Sequence, residues 1–195
     1  MKEFLLEIYT EEVPSGMQNN VIYNQFIDNF AAIMNVDKAC IKMHTSPLRL
    51  TFCCNFPDKI TMPSEVIRGP KTSAPSIALD GFLKKYSINQ QDLTINAEYY
   101  EYRIPETLIS TVDILSDKIA QFITKSQTIW AKTMRWNGDF EWIRPIRNIV
   151  AIFDKKVINL QISGVKSTNI AIGHKFSNTV NTKAITSVLE YFDFI

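Results

Sequence analysis

Cysteine is scarce in these 195 residues: there are three, Cys40, Cys53 and Cys54, an odd number that includes an adjacent pair. Such a set is a poor disulfide framework and fits a reducing compartment, with the three read as small core residues. Glycine and proline are also few, six and eight, which excludes collagen-like and low-complexity sequence. Neither charge dominates. The 21 lysines and arginines against 20 acids leave a formal net charge of +1, so composition carries no global pull toward nucleic acid or an anionic membrane. Long apolar runs are missing as well. Charge interrupts the opening Met1-Lys2-Glu3-Phe4-Leu5-Leu6-Glu7 before a signal-peptide core could form, and no later stretch nears the roughly 20 apolar residues of a membrane span. The chain is therefore expected in the cytoplasm. What is abundant is apolar and aromatic, 46% and 11%, enough for one sizeable core, or one domain and the start of another.

Phe4, Leu6 and Ile8 alternate with Leu5, Glu7 and Tyr9, which predicts a strand running into the acidic turn Thr10-Glu11-Glu12-Val13-Pro14. A helix should follow, because Ser15 and Gln18 have capping-box spacing and Ile22, Phe26, Phe30 and Ile33 share one helical face. Residues 39–43 and 48–56 read as strands joined through His44-Thr45-Ser46-Pro47. Residues 57–75 hold Pro57, Pro63, Pro70, Pro75 and Gly69 and read as a long connection. A short helix is expected over 76–86 and a strand over 94–104. Leu108, Val112, Leu115, Ile119 and Phe122 then mark the clearest amphipathic helix, reaching to about Trp130. Strands dominate afterwards, with Asp154-Lys155-Lys156 as a hairpin turn, and Ile185, Val188, Leu189 and Phe192 suggest a last helix. The order of elements predicts an α+β fold: a mixed, mainly antiparallel sheet with helices packed on it. Residues 1–177 would form that domain, and 178–195 the truncated start of a following helical region.

Charge is unevenly placed. Residues 1–46 carry three lysines against six acids, and residues 130–175 carry eight basic side chains against three acids. In the basic stretch Lys132, Arg135, Arg144, Arg147 and Lys175 are interleaved with Trp136, Phe140 and Trp142. Cations among aromatics suit RNA phosphates and bases; the competing reading is a solvated sheet face with the tryptophans in the core. The arginine forks could equally pair internally, with Glu141 or with Glu7, Glu11 and Glu12. Those three glutamates could instead act as acid and base or hold Mg²⁺, although a solvated turn accounts for them more simply. Cys40, His44, Cys53 and Cys54 raise the question of zinc, but adjacent strand residues point to opposite faces, so Cys53 and Cys54 could not share a metal. A small hydrolase built on Cys53 and His174 lacks a nucleophile elbow. The dispersed glycines make no phosphate-binding loop.

Several segments in order are more specific than their chemistry: Leu5-Leu6-Glu7-Ile8-Tyr9-Thr10-Glu11-Glu12-Val13-Pro14, Ser46-Pro47-Leu48-Arg49-Leu50, Gly69-Pro70, Gly81-Phe82, Lys132-Thr133-Met134-Arg135-Trp136, Arg144-Pro145-Ile146-Arg147 and Gly173-His174-Lys175-Phe176. Together they resemble the amino-terminal part of the β subunit of bacterial heterotetrameric (α2β2) glycyl-tRNA synthetase, across essentially the whole chain. Departures are visible: Tyr9 stands where the family usually has glycine, Leu48 where it has the first of two arginines, Asn148 where it has tryptophan, and Lys175 where it has arginine.

The resemblance implies a division of labour. The α subunit would activate glycine with ATP and Mg²⁺, while β supplies tRNA(Gly) recognition, so this chain needs no cofactor or metal and no catalytic residue of its own. It further implies a fold like the B3/B4 region of phenylalanyl-tRNA synthetase, and as partners the α subunit, tRNA(Gly) and the remainder of β. Glu7, Glu11, Glu12, Arg49, Trp136 and His174 are the residues of its structural motifs; Arg135, Arg144, Arg147, Lys132 and Lys175 are the candidates for RNA or interdomain contact. An autonomous RNA-binding domain is the main alternative.

Overall fold

The alternation around Phe4 does produce a strand, β1 (Lys2–Thr10), in the computed structural model, which describes residues 1–174 and 181–195. Next come α1 (Asn20–Met34), β2 (Lys42–Ser46) and β3 (Arg49–Phe56). Then follow β4 (Lys59–Met62), β5 (Glu65–Lys71), α2 (Ser76–Tyr86), β6 (Leu93–Asn96), β7 (Tyr99–Ile104) and β8 (Thr107–Ser110). The remainder holds α3 (Thr111–Ser126), β9 (Met134–Asn137), β10 (Phe140–Trp142), β11 (Ile146–Phe153), β12 (Lys156–Val157), β13 (Gln161–Ile162), β14 (Val165–Thr168), β15 (Ile170–Ile172), β16 (Thr182–Ala184) and α4 (Val188–Phe194). The fold is α+β. The chain divides into two units, Met1–Asp58 with Ser110–Ile195, and Lys59–Ile109.

In the first unit the main sheet runs β13-β14-β11-β1-β3-β2, with β12 also paired to β11. All its pairings are antiparallel except β11 with β14. The period of two gives the sheet two different faces. Phe4, Leu6 and Ile8 of β1 and Leu50, Phe52, Cys54 and Phe56 of β3 enter the larger core, with Phe26 and Phe30 of α1 and Leu115, Ile119 and Phe122 of α3. There Phe30 stacks on Phe52 at 5.0 Å and meets Phe122 edge-on at 5.1 Å, geometries aromatic rings prefer. Asn19 starts α1 by accepting from the Ile22 N–H, and Asn35 ends it in the left-handed region at φ 57°. On the opposite face Leu5, Cys53, Val150 and Ile152 pack with Ala171, Ile185 and Tyr191 in a smaller core.

The second unit has a sheet β5-β7-β6, a ribbon β4-β8 and α2. None of its residues is fully buried.

Several expectations are corrected. Residues 57–75 hold β4 and β5, because Pro63 lies between the strands and Pro70 sits where the β5–β7 register shifts, the two kinds of place a sheet tolerates proline. The single strand expected over 94–104 is the hairpin β6-β7, turned at Ala97 with φ 53°. Leu108 belongs to exposed strand β8, so α3 begins later than its apolar spacing suggested. His44, Thr45 and Ser46 lie within β2, which moves the turn to Pro47-Leu48, and residues 38–40 form a 3-10 turn. Residues 182–184 are strand β16 rather than the start of the last helix.

Candidate functional site

The acidic opening turn, the Ser46-Pro47-Leu48-Arg49 segment and the Arg144-Pro145-Ile146-Arg147 segment, far apart in sequence, meet at one end of the main sheet. The Thr10 N–H donates to the Leu48 carbonyl at 2.8 Å, the Val13 N–H to the Pro47 carbonyl at 2.7 Å, and the Glu11 N–H to the Pro145 carbonyl at 3.1 Å. The acidic opening turn is thus held on one side by the Ser46-Pro47-Leu48-Arg49 segment and on the other by Arg144-Pro145-Ile146-Arg147. Backbone N–H groups at a strand end need partners, and here the carbonyls of Pro47, Leu48 and Pro145 supply them.

The centre of this end is Glu7, which is 0% exposed on the face of the smaller core. A buried carboxylate requires a partner, and Arg49, on the neighbouring strand and the same face, forms a salt bridge to Glu7 Oε1. The other arm of the Arg49 guanidinium donates to the Ile172 carbonyl and, at 3.2 Å, to the Gly173 carbonyl, while its Cζ lies 4.7 Å from the centre of the Tyr9 ring. The Tyr191 hydroxyl donates to Glu7 Oε1 at 2.7 Å and stands 2.9 Å from the Thr51 hydroxyl. With its own O–H directed at Glu7, Tyr191 accepts from the Thr51 hydroxyl. Glu7 Oε2 has no hydrogen-bond partner among the described residues. Burial pushes the Glu7 carboxyl above its usual range, opposed by the Arg49 charge and the Tyr191 hydroxyl; burial beside Glu7 also raises the Tyr191 phenol. Glu7 is therefore no part of a solvated turn. It ties β1 to β3, to the strand leading into Gly173, and to α4.

Gly173 has a steric reason. A Cβ there would stand 3.2 Å from the Phe194 ring of α4 and 3.5 Å from the Asn181 carbonyl.

The basic candidates divide by partner. A register irregularity pairs Tyr9 with Asn148 and Thr10 with Ile146, which leaves Arg147 as the extra residue of a bulge. Its guanidinium forms a salt bridge to Glu11, with both side chains about half exposed. Arg144 Nε donates to the Glu12 backbone carbonyl at 3.2 Å rather than to its carboxylate, and Arg144 also contacts Met134 Sδ at 3.1 Å. Arg135, on the β9-β10 hairpin, is 3.1 Å from Glu141 and 3.8 Å from Asp139. Glu141 also accepts from the Thr133 hydroxyl at 2.8 Å, and together these contacts hold its carboxyl below the usual range. Trp136 packs edge-on against Phe140 at 5.8 Å. Lys132 and His174 are exposed, and Lys175 lies outside the described residues.

Among the described residues no three His, Cys, Asp or Glu side chains converge as metal ligands. Cys54 faces the larger core, Cys53 the smaller one, and Cys40 is exposed. Burial pushes both buried thiols up to about 12, the opposite of an activated nucleophile.

Comparison with known proteins decides the family. The family described as glycyl-tRNA synthetase beta subunit matches residues 4–195. The chain belongs to this glycyl-tRNA synthetase β-subunit family. It is 36% identical to the glycine--tRNA ligase beta subunit of Rickettsia felis, an alignment covering 100% of this chain and 29% of that protein. With the protein of the same name from Rickettsia bellii (strain OSU 85-389) it shares 34% identity over 91% of this chain and 28% of the relative. The chain thus spans under a third of the length of these curated relatives. No helix among the described residues is long and apolar enough to cross a membrane.

In this member of the glycyl-tRNA synthetase β-subunit family, the three positions read from the sequence as departures that lie among the described residues have definite contacts. Tyr9 lies beneath the Arg49 guanidinium, Leu48 supplies the carbonyl that receives Thr10, and the Asn148 side chain donates to the Ile170 carbonyl at 2.7 Å. Sequence reasoning missed Thr51 and Tyr191. Thr51 was reachable, since it alternates with Arg49 and Cys53 along β3. Tyr191 was not, because its partner Glu7 lies 184 positions away.

Proposed function

We propose that this chain is a noncatalytic amino-terminal module of a glycine–tRNA ligase β subunit. It supports assembly with an α subunit and placement of tRNA(Gly) for ATP-dependent glycylation by an α2β2 enzyme in the cytoplasm. Glycine activation, with its ATP and Mg²⁺, takes place on the α subunit, and the module is a scaffold of the B3/B4 kind. The family match and the relatives' names as beta subunits of glycine--tRNA ligase support this reading.

The observation that carries it is the way the motif residues use their charges. Glu7 and Arg49, Glu11 and Arg147, and Glu141 and Arg135 pair with one another. Residues engaged in this way organise a fold; a catalytic set instead directs an acid, a base or a nucleophile at a site where a reacting atom could lie. The experiment is glycine-dependent ATP–pyrophosphate exchange. The chain alone should give no exchange, whereas an α subunit with full-length β should form glycyl-tRNA. Exchange by the chain alone overturns the proposal.

A further inference from the structure

In the first unit Arg135 and Arg147 face carboxylates of their own chain, and Arg49 is buried against Glu7. The second unit holds a different arrangement on one face of its sheet β5-β7-β6. Cross-strand register sets Val66 opposite Arg103, Arg68 opposite Glu101 and Lys71 opposite Tyr99. On the other side of β7, Thr94 lies opposite Glu101 and Asn96 opposite Tyr99. Residues directly opposite share a face, so these eight form one surface. The ring contacts agree: Arg68 Cζ lies 3.8 Å and Lys71 Nζ 5.5 Å from the centre of the Tyr99 ring. The reverse face belongs to α2, since a Cβ on Gly69 would meet the Phe82 ring at 3.1 Å.

Val66, Arg68, Lys71, Thr94 and Arg103 are all exposed. Neither Arg68 nor Arg103 has a salt-bridge partner among the described residues, and the salt bridge of Lys71 is to the exposed Glu98, at 3.4 Å. Glu101 is the one acid that the register places on this surface, and it accepts from the Asn96 amide at 3.0 Å. Two cations, Arg68 and Lys71, therefore lie against the Tyr99 ring on an open sheet face, Arg103 extends the row along β7, and Glu98 and Glu101 are the carboxylates beside them.

We propose that this face contacts RNA. Arg103, Arg68 and Lys71 neutralise backbone phosphates, and the Arg68 guanidinium, held over Tyr99, provides a planar surface for an unpaired base. Cations alone would serve an acidic protein equally well; planar and aromatic groups among them favour a ligand that carries both phosphates and bases. The inference rests on the reading of the chain as part of a tRNA ligase and names the surface that meets the tRNA. Sequence inspection passed over it because Arg68 and Arg103 lie 35 positions apart and adopt a common face only through the β5–β7 pairing.

The test uses full-length β carrying Arg68→Ala and Arg103→Ala, assembled with the α subunit, and follows binding of a tRNA(Gly) transcript across a salt series. Loss of two phosphate contacts should make the slope of log affinity against log salt shallower by about two. A second variant, Thr94→Arg at an exposed position of the same face, should steepen it by about one. Unchanged affinity and slope in both variants overturn this inference and leave the ligase reading standing. Loss of the α subunit from the double variant also overturns it, since the face would then be a protein contact. Failure of the unsubstituted subunits to form glycyl-tRNA overturns the ligase reading itself.

Discussion

Glu7 is a carboxylate placed where solvation cannot reach it, and its surroundings answer that cost unevenly. One oxygen receives Arg49 and Tyr191, while the other has no partner among the described residues. Because burial raises its pKa in the folded chain, Glu7 contributes stability that is fully present below the ordinary carboxylate range. That contribution is lost as pH rises through the raised value. Asp154, Glu141 and Glu190 act in the opposite direction. Their hydrogen bonds lower their pKa values, so their contributions are present at neutral pH and lost on acidification. Glu7→Gln removes one titration and retains the shape. Measured by urea unfolding over a pH series, the native protein should be most stable relative to Glu7→Gln at acid pH and should lose ground as pH rises. A gain with rising pH would mean that the Arg49 charge outweighs burial. At exposed Arg147 the expectation is different in size: Arg147→Ala should cost no more than about 1 kcal/mol, as for surface ion pairs generally.

At the scale of elements, α4 shows how a short helix is fixed. Its seven residues are too few to be stable alone, so caps and packing must hold it. The Ser187 hydroxyl accepts from the Glu190 N–H at 3.1 Å, Glu190 receives the Thr186 N–H and hydroxyl, and Tyr191 anchors the helix on the sheet. Ser187→Ala should destabilise the chain by about 1 kcal/mol in thermal or urea unfolding, the usual value of an N-cap. No change would mean that the Tyr191 anchor alone sets the helix. The same elements show what the sequence makes legible. β1, β3, α1 and α3 are readable because one face of each meets a core, which imposes a period of two or of 3.6. β4 to β8 lack a buried face, so no period forms and the prolines of 57–75 are the strongest signal left. The hairpin turn at Ala97 has no glycine to announce it. At the site, the charge segregation between the two ends of the chain anticipates the Arg147 and Glu11 pair. The bulge that aims Arg147 and the closure of Tyr191 onto Glu7 depend on tertiary register, which no local pattern encodes.

At the scale of the molecule the two units differ in what they bury. The first has two cores on the two faces of one sheet, and the second has no fully buried residue. Local stability follows buried apolar contact, so amides of β5, β6 and β7 should exchange with deuterium much faster than those of β1, β3 and β11. Equal protection in both units would contradict that ordering. Under the proposed function, the motif cluster builds the scaffold and the chemistry of glycine activation lies on the α subunit.

Arg49→Ala, placed in full-length β and assembled with the α subunit, tests that claim most directly when stability and glycine-dependent ATP–pyrophosphate exchange are measured together. Removing one partner of a buried pair should lower unfolding stability by about 3–5 kcal/mol at neutral pH, while exchange per folded, assembled enzyme stays the same. A collapse of exchange with stability intact would contradict the account.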